Sequence, residues 1–255
     1  MTTRLSDGLA PSRPAIMRQT WSDIIWCHWP VPADQVAAVL PPGLKPQLYD
    51  RSAWVGLIPF AMSDLRLPGA LAPLSRLAGV GSFGEVNVRT YVIGPDGRTG
   101  VWFCTLDADR LLAIVTARLA FGLPYRRART NLYRDSTSVT WRSRRRGDKR
   151  RAEVSVSPGA GPSRPAAPGL EQFLVERYAL YAVWHGRLVR GTLSHQPWAI
   201  RSAQLTHLCS ETVTSAGFTV AGPPHLLVGD PAHVTVHQLS RALGSTRGSI
   251  GWGSE

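Results

Sequence analysis

Lysine is nearly absent from this chain: of its 29 basic residues only Lys45 and Lys149 are lysine, and the other 27 are arginine. Any reaction that needs a side-chain amine, a Schiff base above all, therefore has two candidates, and Lys149 lies in a run of arginines that reads as a loop. Cysteine is scarce as well. Cys27, Cys104 and Cys209 are an odd number without close spacing, which argues against a disulfide scaffold and for a reducing compartment. No stretch approaches the roughly 18–20 uncharged apolar residues of a membrane span, and Met1–Ile16 carries Arg4, Asp7 and Arg13 where a signal peptide needs an apolar run. The expectation is a cytoplasmic protein that does not enter a membrane. A nucleotide-binding glycine loop, a Gly-x-Ser-x-Gly elbow and an internal repeat are all missing.

What is present is a chain of 255 residues, 44% hydrophobic, able to bury a sizeable core. Its net charge of +12 is local. Between Arg118 and Arg151 twelve basic residues face two acids, so that segment is +10 and the remainder +2. A basic protein of this kind gives no general warrant for nucleic-acid binding. Arg144–Arg151 reads as the tip of a hairpin joining strands at 136–143 and 152–157. A solvated tip is favoured over a phosphate grip because no aromatic residues interleave the charges, so nucleic acid is disfavoured as a partner.

The pattern predicts strands at 21–29, 52–60, 85–93, 101–106, 183–195 and 233–237, with Pro59 restricting the second to an edge or an end. Helices are predicted at 32–40, from Asp109 to about Phe121, from Leu170 to about Tyr181 and over 203–216. Leu67–Gly84 and Ser157–Gly169 read as loops, the latter mobile. Residues 1–16 and 241–255 read as tails flanking a single domain at 17–240. Strands outnumber helices and come as hairpins, which predicts an α+β fold built on a curved antiparallel sheet or β-barrel.

The most informative strand is Glu85-Val-Asn-Val-Arg-Thr-Tyr-Val-Ile93. Alternation puts Glu85, Asn87, Arg89 and Tyr91 on one face, roughly 7 Å apart in succession, and Val86, Val88, Thr90 and Val92 on the other. The polar face is either solvated or the lining of a cavity. In a cavity it could hold a small carboxylate, with Arg89 as a bidentate clamp, Glu85 as general base or acid and Tyr91 as a hydrogen-bond donor.

Glu85-Val-Asn-Val-Arg-Thr-Tyr91, Phe121-Gly-Leu-Pro-Tyr125, Phe173-Leu-x-Glu-Arg-Tyr-x-Leu-Tyr181 and His195-Gln-Pro-Trp198 together resemble the YqjF-like family of uncharacterised proteins. Leu40-Pro-Pro-Gly-Leu44 and Ala53-Trp-Val-Gly-Leu-Ile-Pro-Phe60 fit the same pattern, and the resemblance covers about residues 17–240. It implies the acetoacetate decarboxylase-like superfamily, hence a cone-shaped antiparallel β-barrel with a few flanking helices around a small-molecule cavity. In the decarboxylase the catalytic lysine follows a Gly-x-Pro step and forms a Schiff base with a β-keto acid. Here the step is Gly122-Leu-Pro124 and the next residue is Tyr125, followed by Arg126-Arg127, so the amine is missing. Glu85 matches an acidic position of the superfamily cavity.

The resemblance thus implies acid/base chemistry on a carbonyl or carboxylate metabolite, of lyase or isomerase type, without a Schiff-base lysine. A binding protein that kept the cavity and lost the chemistry is the alternative. Tyr125 either donates a proton to a substrate oxygen or is a packed aromatic. Arg126 flanks the mouth and could draw in an anionic substrate. Arg177 and Tyr181, four apart on the predicted helix, could both face inward, although an exposed charge pair and a packing stripe fit as well. His195, before Pro197-Trp198, offers acid/base work or an imidazole held by backbone in a turn. No cofactor is expected. His207-x-Cys209 and His233-x-x-x-His237 lack further ligands at a zinc spacing, so no metal is expected either. A homo-oligomer is compatible with the sequence.

Overall fold

The computed structural model describes residues 13–67, 83–109 and 122–242. The expected helix after Asp109, most of the loop before Gly84 and most of both expected tails lie outside these residues. In chain order, β1 (Ala15–Ser22), β2 (Ile24–Val31), α1 (Ala33–Val39), β3 (Lys45–Pro46) and β4 (Ala53–Arg66) come first. The hairpin of β5 (Phe83–Ile93) and β6 (Thr99–Ala108) follows, then β7 (Tyr125–Arg134), β8 (Val139–Arg145), β9 (Arg151–Pro158) and β10 (Arg164–Pro165). The last part holds α2 (Leu170–Val175), β11 (Ala179–Trp184), β12 (Arg187–Ser194), β13 (Ala199–Ser210), α3 (Glu211–Ser215), β14 (His225–Gly229), β15 (Ala232–His237) and β16 (Ser240–Arg241).

The strands form one curved sheet that closes on itself. Its order runs β1-β15-β12-β11-β6-β7-β8-β9-β13-β14-β2-β4, and β4 pairs back to β1. Inside this ring β5 lies between β4 and β6, paired to both. Pairing is antiparallel except where β6 meets β7 and β11.

That placement explains the composition of the central strands. A strand covered on both faces needs a nearly continuous apolar run, and Ile24-Ile-Trp-Cys in β2 and Ala53 to Met62 in β4 supply one. One apolar cluster contains Trp26, Ile58, Phe60, Phe83, Leu106, Phe173, Leu174 and Trp198; a second, across β5, contains Trp29, Leu57, Val86, Val88, Trp141, Val154 and Phe218. Strand β5 is buried from Phe83 to Val92, and the face with Glu85, Asn87, Arg89 and Tyr91 is turned to the first cluster, which includes Tyr91.

Several elements differ from expectation. The strand expected at 21–29 is two strands broken at Asp23, whose φ of 52° turns the chain. Strand β4 is central; Pro59 is tolerated because the β2 pairing ends at Leu57 and the β1 pairing starts at Ala61, leaving a single neighbour there. The helix expected over 203–216 is mostly β13, in register with both β9 and β14, and only α3 is helical. Ala203–Ser210 pairs along β9, and that sheet pairing outweighs the weak local helical preference. Likewise α2 stops at Val175, and the aromatic and β-branched Ala179–Trp184 becomes β11. The loop expected to be mobile is pinned where Arg164 and Pro165 pair with Ile200 and Ala199.

Candidate functional site

Glu85, Asn87, Arg89 and Tyr91 are all buried on the inward face of β5, with 3, 2, 6 and 0% of their surface exposed. The solvated reading of this face is therefore excluded. Around them stand apolar side chains of the strands opposite, since Ile58 and Leu106 flank Asn87, and Phe60 and Ala108 flank Glu85.

Tyr125 closes one end of this face. Gly122 has φ +65°, and a Cβ there would lie 2.3 Å from the Val183 carbonyl oxygen, so only glycine lets the chain pass β11. The chain then enters β7 with Tyr125 opposite Leu106. Its hydroxyl donates to Glu85 Oε2 at 2.6 Å, while Asn87 Nδ2 stands 3.4 Å from Glu85 Oε1. Burial pushes the Glu85 carboxyl up to about 7, against the two hydrogen bonds that favour its ionised form and with some help from the Asp107 charge. Burial, followed by the Glu85 charge, pushes Tyr125 well above the ordinary phenol range. At neutral pH the pair combines a carboxyl poised to take or give a proton with a phenol that stays protonated.

The raised value has a consequence for stability. The folded chain holds a proton on Glu85 between about 4.5 and about 7 that the unfolded chain releases, so this contribution is complete below the lower value and lost as pH rises through the upper one. Urea unfolding of wild type and Glu85→Gln across this window is expected to differ in slope by about 3 kcal/mol in total. Equal slopes would contradict a buried Glu85.

At the other end of the face lies a cationic cluster. Arg89 Nη2 donates to the Leu174 carbonyl at 3.1 Å and stands 3.5 Å from Tyr91 Oη; Tyr91 Oη itself donates to Leu174 at 2.8 Å. Arg177 donates to Gln47 Oε1 at 2.8 Å and to the Phe173 carbonyl, and its guanidinium lies 4.6 Å from the Tyr91 ring centre. These carbonyls belong to the last turn of α2, where backbone acceptors lack helical partners and favour cations. Burial, with Arg89 beside it, lowers Arg177 to about 9. His28 Nε2 meets Tyr91 Oη at 2.5 Å, its ring filling the space that a Cβ on Gly56 would need. Burial and the neighbouring Arg89 hold His28 well below the usual imidazole range, hence neutral.

The other expected site residues lie elsewhere. Arg126 is exposed, and so is Arg127 after it. Tyr181 is buried but bonds Asp96 and the Arg98 carbonyl in a separate cluster, because it sits on β11 and shares no helix with Arg177. His195 is half-buried, with Nδ1 2.8 Å from the Gln196 carbonyl and Nε2 3.3 Å from that of Arg177, and it stacks on Tyr178. Trp198 is buried beside Trp26 and donates its backbone N–H to Glu176. His28 and Gln47 were not expected at the site; the one visible signal was a histidine within the apolar run of β2. Among the described residues no three His, Cys, Asp or Glu side chains gather as a metal site would require.

The arginine-rich segment is more than a tip. Arg129, Arg144 and Arg151 align across β7, β8 and β9 on an exposed face. Arg145, pointing the other way, is buried: its Nε bonds both Asp107 oxygens at 2.8 and 3.0 Å, Nη2 bonds Thr105 and Nη1 bonds Ser215.

The closed sheet around a buried polar strand face has the acetoacetate decarboxylase-like fold. Among solved structures the chain is similar to MppR, an enduracididine biosynthesis enzyme complexed with pyruvate, at 17% identity and TM-score 0.63, over 94% of this chain and 95% of that one. It is also similar to acetoacetate decarboxylase from Legionella pneumophila, at 12% identity and TM-score 0.64, over 92% and 90%. At those identities the likeness concerns the fold alone. Residues 18–234 match the DUF2071 family of uncharacterized conserved proteins, and the chain belongs to that family. It is 34% identical to the uncharacterized protein YqjF of Bacillus subtilis (strain 168) over 214 residues, 83% of this chain and 86% of that protein. No described helix is long and apolar enough to cross a membrane.

Proposed function

We propose that this protein is an enzyme that moves a proton on a small carbonyl or carboxylate metabolite, a lyase or isomerase working without a Schiff base. Glu85 takes the proton from substrate carbon, and Tyr125, its hydroxyl hydrogen released as Glu85 becomes neutral, turns to donate a hydrogen bond to the substrate oxygen where negative charge develops. The observation that carries this reading is the 2.6 Å contact between a buried carboxyl raised to about 7 and a phenol at the end of the Gly-x-Pro step. An amine route has little support, since Lys45 and Lys149 are both exposed. The MppR likeness adds a fold in which a pyruvate complex is known for that protein.

Two measurements test the absence of a Schiff base. Borohydride added with acetoacetate or pyruvate is expected to leave the chain mass unchanged, and the Lys45→Arg/Lys149→Arg protein is expected to keep full turnover. A trapped adduct that disappears in the double variant would overturn the proposal. The missing amine also favours a second reading, a binding protein without chemistry, which a ligand bound but never transformed would establish.

A further inference from the structure

Two guanidinium groups are buried around Tyr91, and among the described residues neither is paired with an acid. Arg89 and Arg177 are 6 and 5% exposed, and no salt bridge to either exists among the described residues. Their visible partners are backbone carbonyls, one glutamine, the Tyr91 hydroxyl and the rings of Tyr91 and Phe173, none of which carries a negative charge. Arg89 Nε, Arg177 Nε, His28 Nδ1 and Asn87 Oδ1 are buried without a hydrogen-bond partner. A buried charge is costly unless paired, and so is a buried donor left without an acceptor. Two such cations at one tyrosine ring, 5.7 and 4.6 Å from its centre, with donors left over, describe a seat from which the counter-charge is to be supplied by a ligand.

We infer that Arg89 and Arg177 jointly seat one carboxylate of the ligand, so the metabolite is a monoanionic carbonyl acid held by its carboxylate at the Tyr91 end of β5. The inference rests on the reading that this interior receives a small molecule. The charge of the seat selects the class. Two carbonyls at the end of α2 already direct partial negative charge at the guanidiniums, and the neighbouring imidazole is neutral. That leaves room for about one further negative charge and disfavours the second charge of a phosphate. Planar guanidiniums also match a planar carboxylate bidentately. Because Arg89 is turned toward Tyr91 and Leu174, the carboxylate and the atoms handled by Glu85 are different ends of the ligand.

The full-length protein is titrated calorimetrically, at constant ionic strength, with acetoacetate and 2-oxobutyrate as probes, and with methyl acetoacetate and inorganic phosphate as controls. Both acids are expected to bind at millimolar concentration or better and to raise Tm by about 3–5 °C at about 10 mM, with little response to ester or phosphate. Arg177→Met and Arg89→Met are each expected to weaken acid binding at least about tenfold. Should either fail to fold, Arg177→Lys and Arg89→Lys keep the charge, lose the fork and are expected to bind several-fold more weakly. Glu85→Gln is expected to lose turnover and keep acid binding, so the seat and the proton-transfer reading fail separately. Equal response to acid and ester, tighter binding of phosphate, no response to either acid, or acid binding undiminished by the arginine variants overturns the inference.

Discussion

Glu85→Gln is expected to lower turnover by about 10²- to 10⁴-fold, the usual worth of a general acid or base. Glutamine keeps the shape and can accept the Tyr125 hydrogen bond, but it cannot take a proton, so the loss reports chemistry more than packing. Tyr125→Phe removes the 2.6 Å donor and is expected to cost about 10–100-fold, with the pH–rate midpoint moving, because one of the bonds that favours ionised Glu85 is gone. The assay is exchange of the hydrogens beside the carbonyl of small oxo acids in heavy water, followed by NMR. It registers proton transfer at carbon even when the later step of the natural reaction is unknown. Exchange unaffected by either substitution would remove the pair from catalysis.

Arg145→Met is expected to be the most damaging single change to the fold. All the hydrogen bonds of Arg145 stay inside: Asp107 and Thr105 on β6, Ser215 on α3, with Asp148 at 3.5 Å. Burial pushes the Asp107 carboxyl up and Arg145 pulls it back, so removing the arginine leaves a buried, unpaired acid. Breaking such a pair costs about 3–5 kcal/mol, which for a chain of this size is a fall of roughly 10 °C in Tm. Arg145→Met combined with Asp107→Asn is expected to regain part of the loss, since the orphaned charge goes with its partner. A double variant no better than the single one would place the cost in lost packing. Because Asp107 stands beside Val86 in the sheet, this pair also holds the rear of the strand that presents Glu85.

The β5–β6 hairpin and α1 were legible because their signals are local: strict alternation, a Gly-Pro-Asp-Gly turn and a short apolar helix before two prolines. The inward face of β5 was legible as a face but not as an interior. Alternation separates two sides of a strand and does not say which side is covered; that depends on ring closure between β1 and β4. Strand β7 went unread although Ala128, Thr130 and Leu132 alternate with Arg127, Arg129 and Asn131, because the arginine run obscured the period. Arg145 was counted with the tip for the same reason. One residue along the strand separates a solvated arginine from a buried one, and its partner Asp107 lies 38 positions away. His28 and Arg177 meet Tyr91 across 63 and 86 residues of chain, contacts that no spacing encodes. The helix expected to carry Arg177 and Tyr181 together failed because β11 has a parallel neighbour in β6, which gives Ala179–Trp184 a better use as strand.

The central claim is that Glu85 is a buried carboxyl held near neutrality beside Tyr125. A ¹³C NMR pH titration of glutamate-labelled protein, wild type against Glu85→Gln, reads it directly. The resonance that vanishes in the variant is predicted to titrate near 7 in the ligand-free protein and to move toward lower pH when Asp107→Asn removes the neighbouring charge. A midpoint near the ordinary 4.5 would contradict the account, because it would mean that water reaches the face of β5 that the proposed chemistry requires to be enclosed.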